Sequence, residues 1–185
     1  MISGNAVILR APNDQDETIL QEMRNDTELQ AMLMSVARPN TTGRVREWLN
    51  RRLSDEQGLF FVIAEIESNS CAGFIQVTNI NLLHGTGQLG IAVHPSFRGQ
   101  GLGGEAITLC ENYVQRQFRL RKIVLDVLAS NEAARLYHRV GYETVGVHRQ
   151  HFFSNGEYQD VLVMEKMLPS AINMNRDGST IREAA

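Results

Sequence analysis

Hydrophobic positions along this chain switch between the spacing of strands and the spacing of helices. Residues 6–9 are a short apolar run and predict a first strand. Asn13, Asp14, Gln15 and Asp16 read as a turn and helix start, with acidic side chains where the helix dipole favours them. Ile19, Leu20 and Met23 then fall at helical spacing. Residues 26–34 predict a second short helix, and Arg38-Pro39-Asn40 breaks the pattern. Thr41 or Thr42 caps a third helix, with Val45, Trp48, Leu49 and Leu53 on its buried face and Arg44, Arg46, Arg51 and Arg52 on its solvated face.

The centre of the chain reads as strands. Residues 59–66 are apolar with little alternation, which predicts a strand covered on both faces. Ser68-Asn69-Ser70 is turn chemistry, and residues 71–80 return as the second arm of a hairpin. Residues 81–87 turn the chain into a strand at 89–93 that Pro95 ends. Leu102, Ala106, Leu109, Cys110, Tyr113, Val114 and Phe118 then share one face of a long helix. Residues 122–128, apolar apart from Asp126, follow a helix of crossover length, so they are expected to run parallel to residues 89–93. Asn131 caps a short helix that packs through Ala134, Leu136, Tyr137 and Val140 and stops at Gly141. Residues 142–153 and 158–167 are two closing strands, joined by Ser154-Asn155-Gly156-Glu157, a hairpin turn built on Asn-Gly. Periodicity is lost from residue 169, so a domain over 1–168 and a flexible tail over 169–185 are expected.

Composition narrows the class. A chain of 185 residues, 43% hydrophobic and 21% charged, suits one soluble α/β domain with a real core. Its net charge of −3 argues against nucleic-acid binding through bulk positive charge. No stretch has the pattern of a leader or a membrane span, so no membrane partner and a cytoplasmic location are expected. Cys71 and Cys110 have no metal-ligand spacing, and Cys110 falls on an apolar helix face, where it reads as a small core residue. His148 and His151 are oddly spaced on a predicted strand and fall on opposite faces, which makes them a poor metal pair; no metal is expected.

The most informative stretch lies between residues 88 and 104. It runs strand, Pro95, then Arg98-Gly99-Gln100-Gly101-Leu102-Gly103-Gly104, then helix. The first N–H groups of a helix lack partners and sit at the positive end of the dipole. Glycines let an anion come close to the backbone. Four glycines within six positions beside an arginine therefore read as a pyrophosphate cradle rather than a plain turn. No Gly-Lys-Ser/Thr follows, so it is not a Walker loop, and the glycine spacing is not that of the dinucleotide fingerprint.

Arg98-x-x-Gly101-x-Gly103 resembles the acyl-CoA loop of the GNAT N-acetyltransferases. A second segment, with Asn131, Ala134, Tyr137, Gly141 and Tyr142 in register, resembles the same family. The ending His151-Phe152-Phe153 through Tyr158-Gln159-Asp160 is similar to the branch holding ribosomal-protein N-terminal and spermidine-type acetyltransferases. The resemblance implies the GNAT fold, a mixed, twisted sheet flanked by helices, and acetyl-CoA as co-substrate. It implies direct acetyl transfer to a primary amine, either a small molecule or a protein N-terminus. It places Ile91, Ala92 and Val93 along the pantetheine, residues 98–104 on the pyrophosphate and Asn131 on the CoA arm, where Asn131 also suits a helix cap. Tyr137 becomes the acid that protonates the leaving thiolate, its alternative being a core aromatic.

The sequence departs from the family at Gln88, where many relatives carry Glu, and a glutamine accepts no proton at neutral pH. His84 titrates in the right range but reads as an exposed loop residue. Asp26, Glu28, Glu157 and Asp160 are candidates for holding a cationic amine and equally read as solvated surface. Gln88 keeps open a catalytically silent CoA-binding module as the alternative. A purely structural dimer subunit leaves the glycine loop without a use; a homodimer is compatible with every reading.

Overall fold

The computed structural model describes residues 1–154 and 156–169. Its strands are β1 (Ile2–Ser3), β2 (Val7–Arg10), β3 (Leu59–Glu65), β4 (Cys71–Asn81), β5 (Thr86–Val93), β6 (Lys122–Leu128), β7 (Glu143–Ser154) and β8 (Glu157–Met167). Its α-helices are α1 (Glu17–Asn25), α2 (Thr27–Met32), α3 (Thr42–Leu53), α4 (Leu102–Phe118) and α5 (Ala133–Arg139).

Local chemistry sets the element ends. Asn13 and Asp16 form a reciprocal capping box ahead of α1. Asp26 caps α2 by accepting from Leu29 N–H at 2.9 Å, and Thr41 caps α3 at Arg44 N–H. Gly141, at φ 93°, ends α5 and lets Tyr142 N–H reach the carbonyl of Tyr137 at 2.9 Å.

The strands form one mixed sheet in the order β1-β2-β3-β4-β5-β6-β8-β7. Period-2 alternation sends one row of side chains to each face. Val7, Leu9, Ile63, Ile75, Val77 and Leu89 pack with α4 and α5. Phe60, Val62, Ala64, Phe74 and Ala92 pack with α1, α2 and α3, where Trp48 meets Phe60 and Phe74 edge-on at 5.2 and 5.5 Å. Two cores on one sheet explain why β3 alternates so little. The start of α1 is tied to β2 by a buried bidentate pair: Arg10 donates to both Asp16 oxygens, at 2.7 and 2.8 Å.

One irregularity prepares the site. β5 and β6 are parallel, as their connection requires, but pair only at Thr86–Lys122, Gly87–Ile123 and Gln88–Val124. Beyond Gln88, β5 keeps its partner β4, and beyond Val124, β6 keeps its partner β8, so the two strands part company. The backbone edges that face each other across the gap have no strand partner there.

Several sequence expectations are corrected. β5 begins at Thr86, inside the stretch read as turn, because residues 86–88 are held by both neighbours. Leu53, at the end of α3, is 53% exposed rather than buried. His148 and His151 share a face: a bulge between His148 and Phe152, with Gln150 at φ 47°, cancels the odd spacing and brings the rings to 4.8 Å. Asn155 of the closing turn and the tail from residue 170 lie outside the described residues; the flanking Ser154 and Glu157 pair. Among the described residues no helix is long and apolar enough to cross a membrane.

Candidate active site

The gap between β5 and β6 opens into a cleft of about 930 Å³, within the range of small-molecule sites. One end is the turn into α4. Gly101 is the N-cap residue, at φ 82°, and Gly99 sits at φ 78°. A side chain is strained at either angle, and a Cβ built on either glycine meets nothing within 4 Å. The glycines thus open a concave backbone surface. Gly104 and Glu105 N–H turn onto Gly101 O, while Leu102 and Gly103 N–H have no backbone partner among the described residues. Glu105 is the one acidic side chain in this first turn, and it faces away, accepting from Ala6 N–H at 3.0 Å. Free donors, a positive dipole end and no opposing carboxylate suit a phosphate group.

Of the residues singled out from sequence, Ile91, Ala92, Val93, Arg98, Gly99, Gly101, Leu102, Gly103, Gly104, Asn131 and Tyr137 all line the cleft. Gln100 does not; its side chain turns back to donate to Ser96 O at 3.3 Å. Arg98 is exposed, its Nε donating to Val93 O at 3.1 Å, which leaves the other guanidinium nitrogens to the cleft mouth. Asn131 Oδ1 accepts from Ala133 N–H at 2.9 Å, closing the turn one residue ahead of Glu132, which occupies the N-cap position expected for Asn131, and its amide nitrogen is free among the described residues.

Tyr137 comes from α5, opposite the bare edge of β5. It is 7% exposed and lies edge-on to Tyr142 at 5.9 Å. Burial pushes its phenol up to about 12. The group therefore stays protonated across the physiological range and is a donor, not a base.

The structure adds residues that the sequence did not bring together. Gln88, at the fork where β5 and β6 separate, donates through Nε2 to Asp126 Oδ2 at 3.1 Å and accepts from Asn79 Nδ2 at 3.0 Å. Both Gln88 and Asp126 line the cleft, so the cleft does hold a carboxylate, the exposed Asp126, one strand away from the expected position. A single acidic residue inside an apolar strand was the available signal. On the opposite wall stand Arg24 from α1 and Arg52 from α3. Arg52 was assigned to the solvated face of its helix and is instead half-buried in the cleft. Arg24 lies 4.7 Å over the Trp48 ring, and its Nε reaches Asn40 Oδ1 at 3.4 Å. Burial first, then repulsion by Arg52 and Arg51, lowers its pKa from 12.5. Asp26, Glu28, Glu157, Asp160 and His84 do not line the cleft. Cys110, on the core-facing side of α4, is buried, with burial pushing its thiol up to about 12, so it is no nucleophile. Among the described residues no group of three or more His, Cys, Asp or Glu side chains is arranged to hold a metal.

Similar proteins share this architecture. The crystal structure of spermidine N-acetyltransferase from Vibrio cholerae in complex with CoA and spermine superposes with a TM-score of 0.80 at 25% identity, covering 88% of this chain and 95% of that one. The curated spermidine N(1)-acetyltransferase of Vibrio cholerae is 30% identical over 118 residues, 63% of this chain and 68% of its own length. The SPbeta prophage-derived uncharacterized N-acetyltransferase YokL of Bacillus subtilis is 26% identical over 159 residues, 85% of this chain and 88% of its own. The model of the acetyltransferase (GNAT) domain matches residues 6–143. Running from β2 to the first residue of β7, that match embraces both walls of the cleft, and the chain belongs to the GNAT acetyltransferases, enzymes that move the acetyl group of acetyl-CoA to an amine.

Proposed function

We propose that the parted strands are the reaction centre for acetylation of a small-molecule primary amine, with Tyr137 as acid and Asp126 as the carboxylate facing the amine. The carrying observation is that the glycine cradle, the bare edge of β5 and Tyr137 line one continuous cleft. The N–H groups of Leu102 and Gly103 and the Arg98 side chain hold the co-substrate phosphates. The backbone of Ile91 and the N–H of Val93, which have no strand partner on the cleft side, bind the pantetheine amides, while Val93 O is taken by Arg98. A bond forms between the amine nitrogen and the acetyl carbonyl carbon, and the carbon–sulfur bond breaks with its electron pair on sulfur. Tyr137 supplies the proton that sulfur takes. The proton shed by nitrogen leaves by way of Asp126, which Gln88 orients. Gln88 thus stands beside the proton acceptor instead of being it.

The relatives named as spermidine N-acetyltransferases support a small-molecule amine over a protein N-terminus. Thiol release from acetyl-CoA, measured against a pool of small amines and a pool of peptides with free N-termini, tests this. Turnover confined to the small-amine pool is expected. Turnover confined to the peptides would overturn the reading.

A further inference from the structure

Charge is distributed unevenly across the cleft. The carboxylates among its lining residues, Asp126 and Glu132, lie on the β6–α5 side, together with the exposed Arg139. Arg24 and Arg52 stand on the α1–α3 side, and neither forms an ion pair among the described residues. The unpaired arginines elsewhere among the described residues are exposed, and the one other arginine withdrawn from water, Arg10, pairs with Asp16. Both cleft arginines are half-buried. The Trp48 ring and Asn40 hold the Arg24 guanidinium in place, yet neither neutralises it. Two guanidinium groups close enough to repel, partly withdrawn from water and without a counter-charge, form a site waiting for an anion. A polyamine would bring more positive charge to this wall.

We infer that the acceptor amine carries a carboxylate, which Arg24 and Arg52 receive while the ammonium end faces Asp126. The cleft then matches a zwitterion: negative charge at β6, positive charge at α1 and α3. Leu29, Leu33, Trp48 and Phe74 line the cleft near the arginines and give an apolar surface for the rest of the molecule. An apolar α-amino acid has this chemistry. The inference rests on the acetyl-transfer reading above and names its acceptor class.

The test compares L-methionine and L-phenylalanine with their amides, which keep the amine and lose the carboxylate, and with spermidine. The readouts are kcat/KM by thiol release and the acetyl-CoA dissociation constant. We expect the acids to exceed the amides by about tenfold or more, as a charge-assisted bidentate contact provides, and the acid-to-amide ratio to fall toward one in Arg24→Gln/Arg52→Gln with acetyl-CoA affinity unchanged. Arg52→Gln alone, which leaves the Arg24–Trp48 contact in place, is expected to lower the ratio part-way and serves if the double variant does not fold. Equal turnover of acids and amides, or turnover of spermidine alone, overturns the inference while leaving acetyl transfer intact. Loss of acetyl-CoA affinity in the variants overturns it by placing the arginines on the co-substrate. Absence of turnover with every amine overturns this inference and the transfer reading together.

Discussion

Replacing Tyr137 with phenylalanine removes one oxygen and separates chemistry from packing. The ring is 7% exposed and lies 5.9 Å from Tyr142, a contact that phenylalanine keeps. Among the described residues the hydroxyl makes no hydrogen bond, and burial is the cause of the raised phenol pKa. Stability should therefore change by less than about 1 kcal/mol, or roughly 2–4 °C in Tm for a chain of this size. Catalysis should suffer far more. A positioned acid contributes about 10²- to 10⁴-fold, and at 1.36 kcal/mol per decade that is roughly 2.7–5.4 kcal/mol of barrier. The assay is kcat by thiol release, with acetyl-CoA binding measured separately to show that the co-substrate still docks. The pH profile adds an independent readout. A phenol held near 12 stays protonated below about pH 11, so any alkaline limb below that belongs to another group. A kcat within about threefold of wild type, under ~0.7 kcal/mol, would refute the acid role. An alkaline limb centred near pH 10 that vanishes in Tyr137→Phe would refute the burial argument.

Four other outcomes are expected. Gly101→Ala forces an L-residue to φ 82° and should cost about 1–2 kcal/mol of stability; since nothing lies within 4 Å of the new Cβ on the protein side, its larger effect should be a raised KM for acetyl-CoA, and an unchanged KM would remove Gly101 from the cradle. Gln88→Glu puts a second carboxylate 3 Å-scale from Asp126, where two like charges share one proton; the acid limb of kcat should move to higher pH, and an unmoved limb would separate Asp126 from proton removal. Asp16→Ala strands the buried Arg10 charge and should lower the urea-derived stability by roughly 3–5 kcal/mol, whereas Arg10→Met/Asp16→Leu should recover much of that loss; equal losses would deny the pairing its role. Cys71 and Cys110 thiols, both pushed by burial from 9.0 up to about 12, keep their protons in the fold when the unfolded chain begins to lose them. Stability is thus fully present below pH 9 and should decline as pH rises toward about 12, an effect that Cys110→Ala should partly relieve in alkaline melts.

The sequence carried those parts of the fold that depend on neighbours along the chain. The helix starts at Asn13 and Thr41, the stop at Gly141 and the parallel course of β6 all follow from local chemistry and connection length. The glycine cradle and Tyr137 were legible for the same reason, since each sits in a compact motif. The convergence of Arg24, Arg52 and Asp126 was not legible. These residues come from α1, α3 and β6, and a solvated-face reading of Arg52 is correct for its own helix until the sheet parts beneath it. The face shared by His148 and His151 was hidden because a bulge leaves no mark in a polar, exposed strand. Gln88 looked like the loss of a base because its carboxylate partner stands 38 residues away.

The fork between β5 and β6 has a mechanical meaning. The sheet is two plates, β1 to β5 and β6 with β8 and β7, stitched along a seam of three residue pairs at one end. Plates joined so briefly have little resistance to splaying at the open end. A ligand lodged between them acts as a splint, so the tightness of its binding and the stiffness it confers are one free energy seen from two sides. Slowing of amide exchange on acetyl-CoA binding should then concentrate in residues 89–93 and 125–128, at the open end of the seam, and leave the β2–β3 half of the sheet as it was.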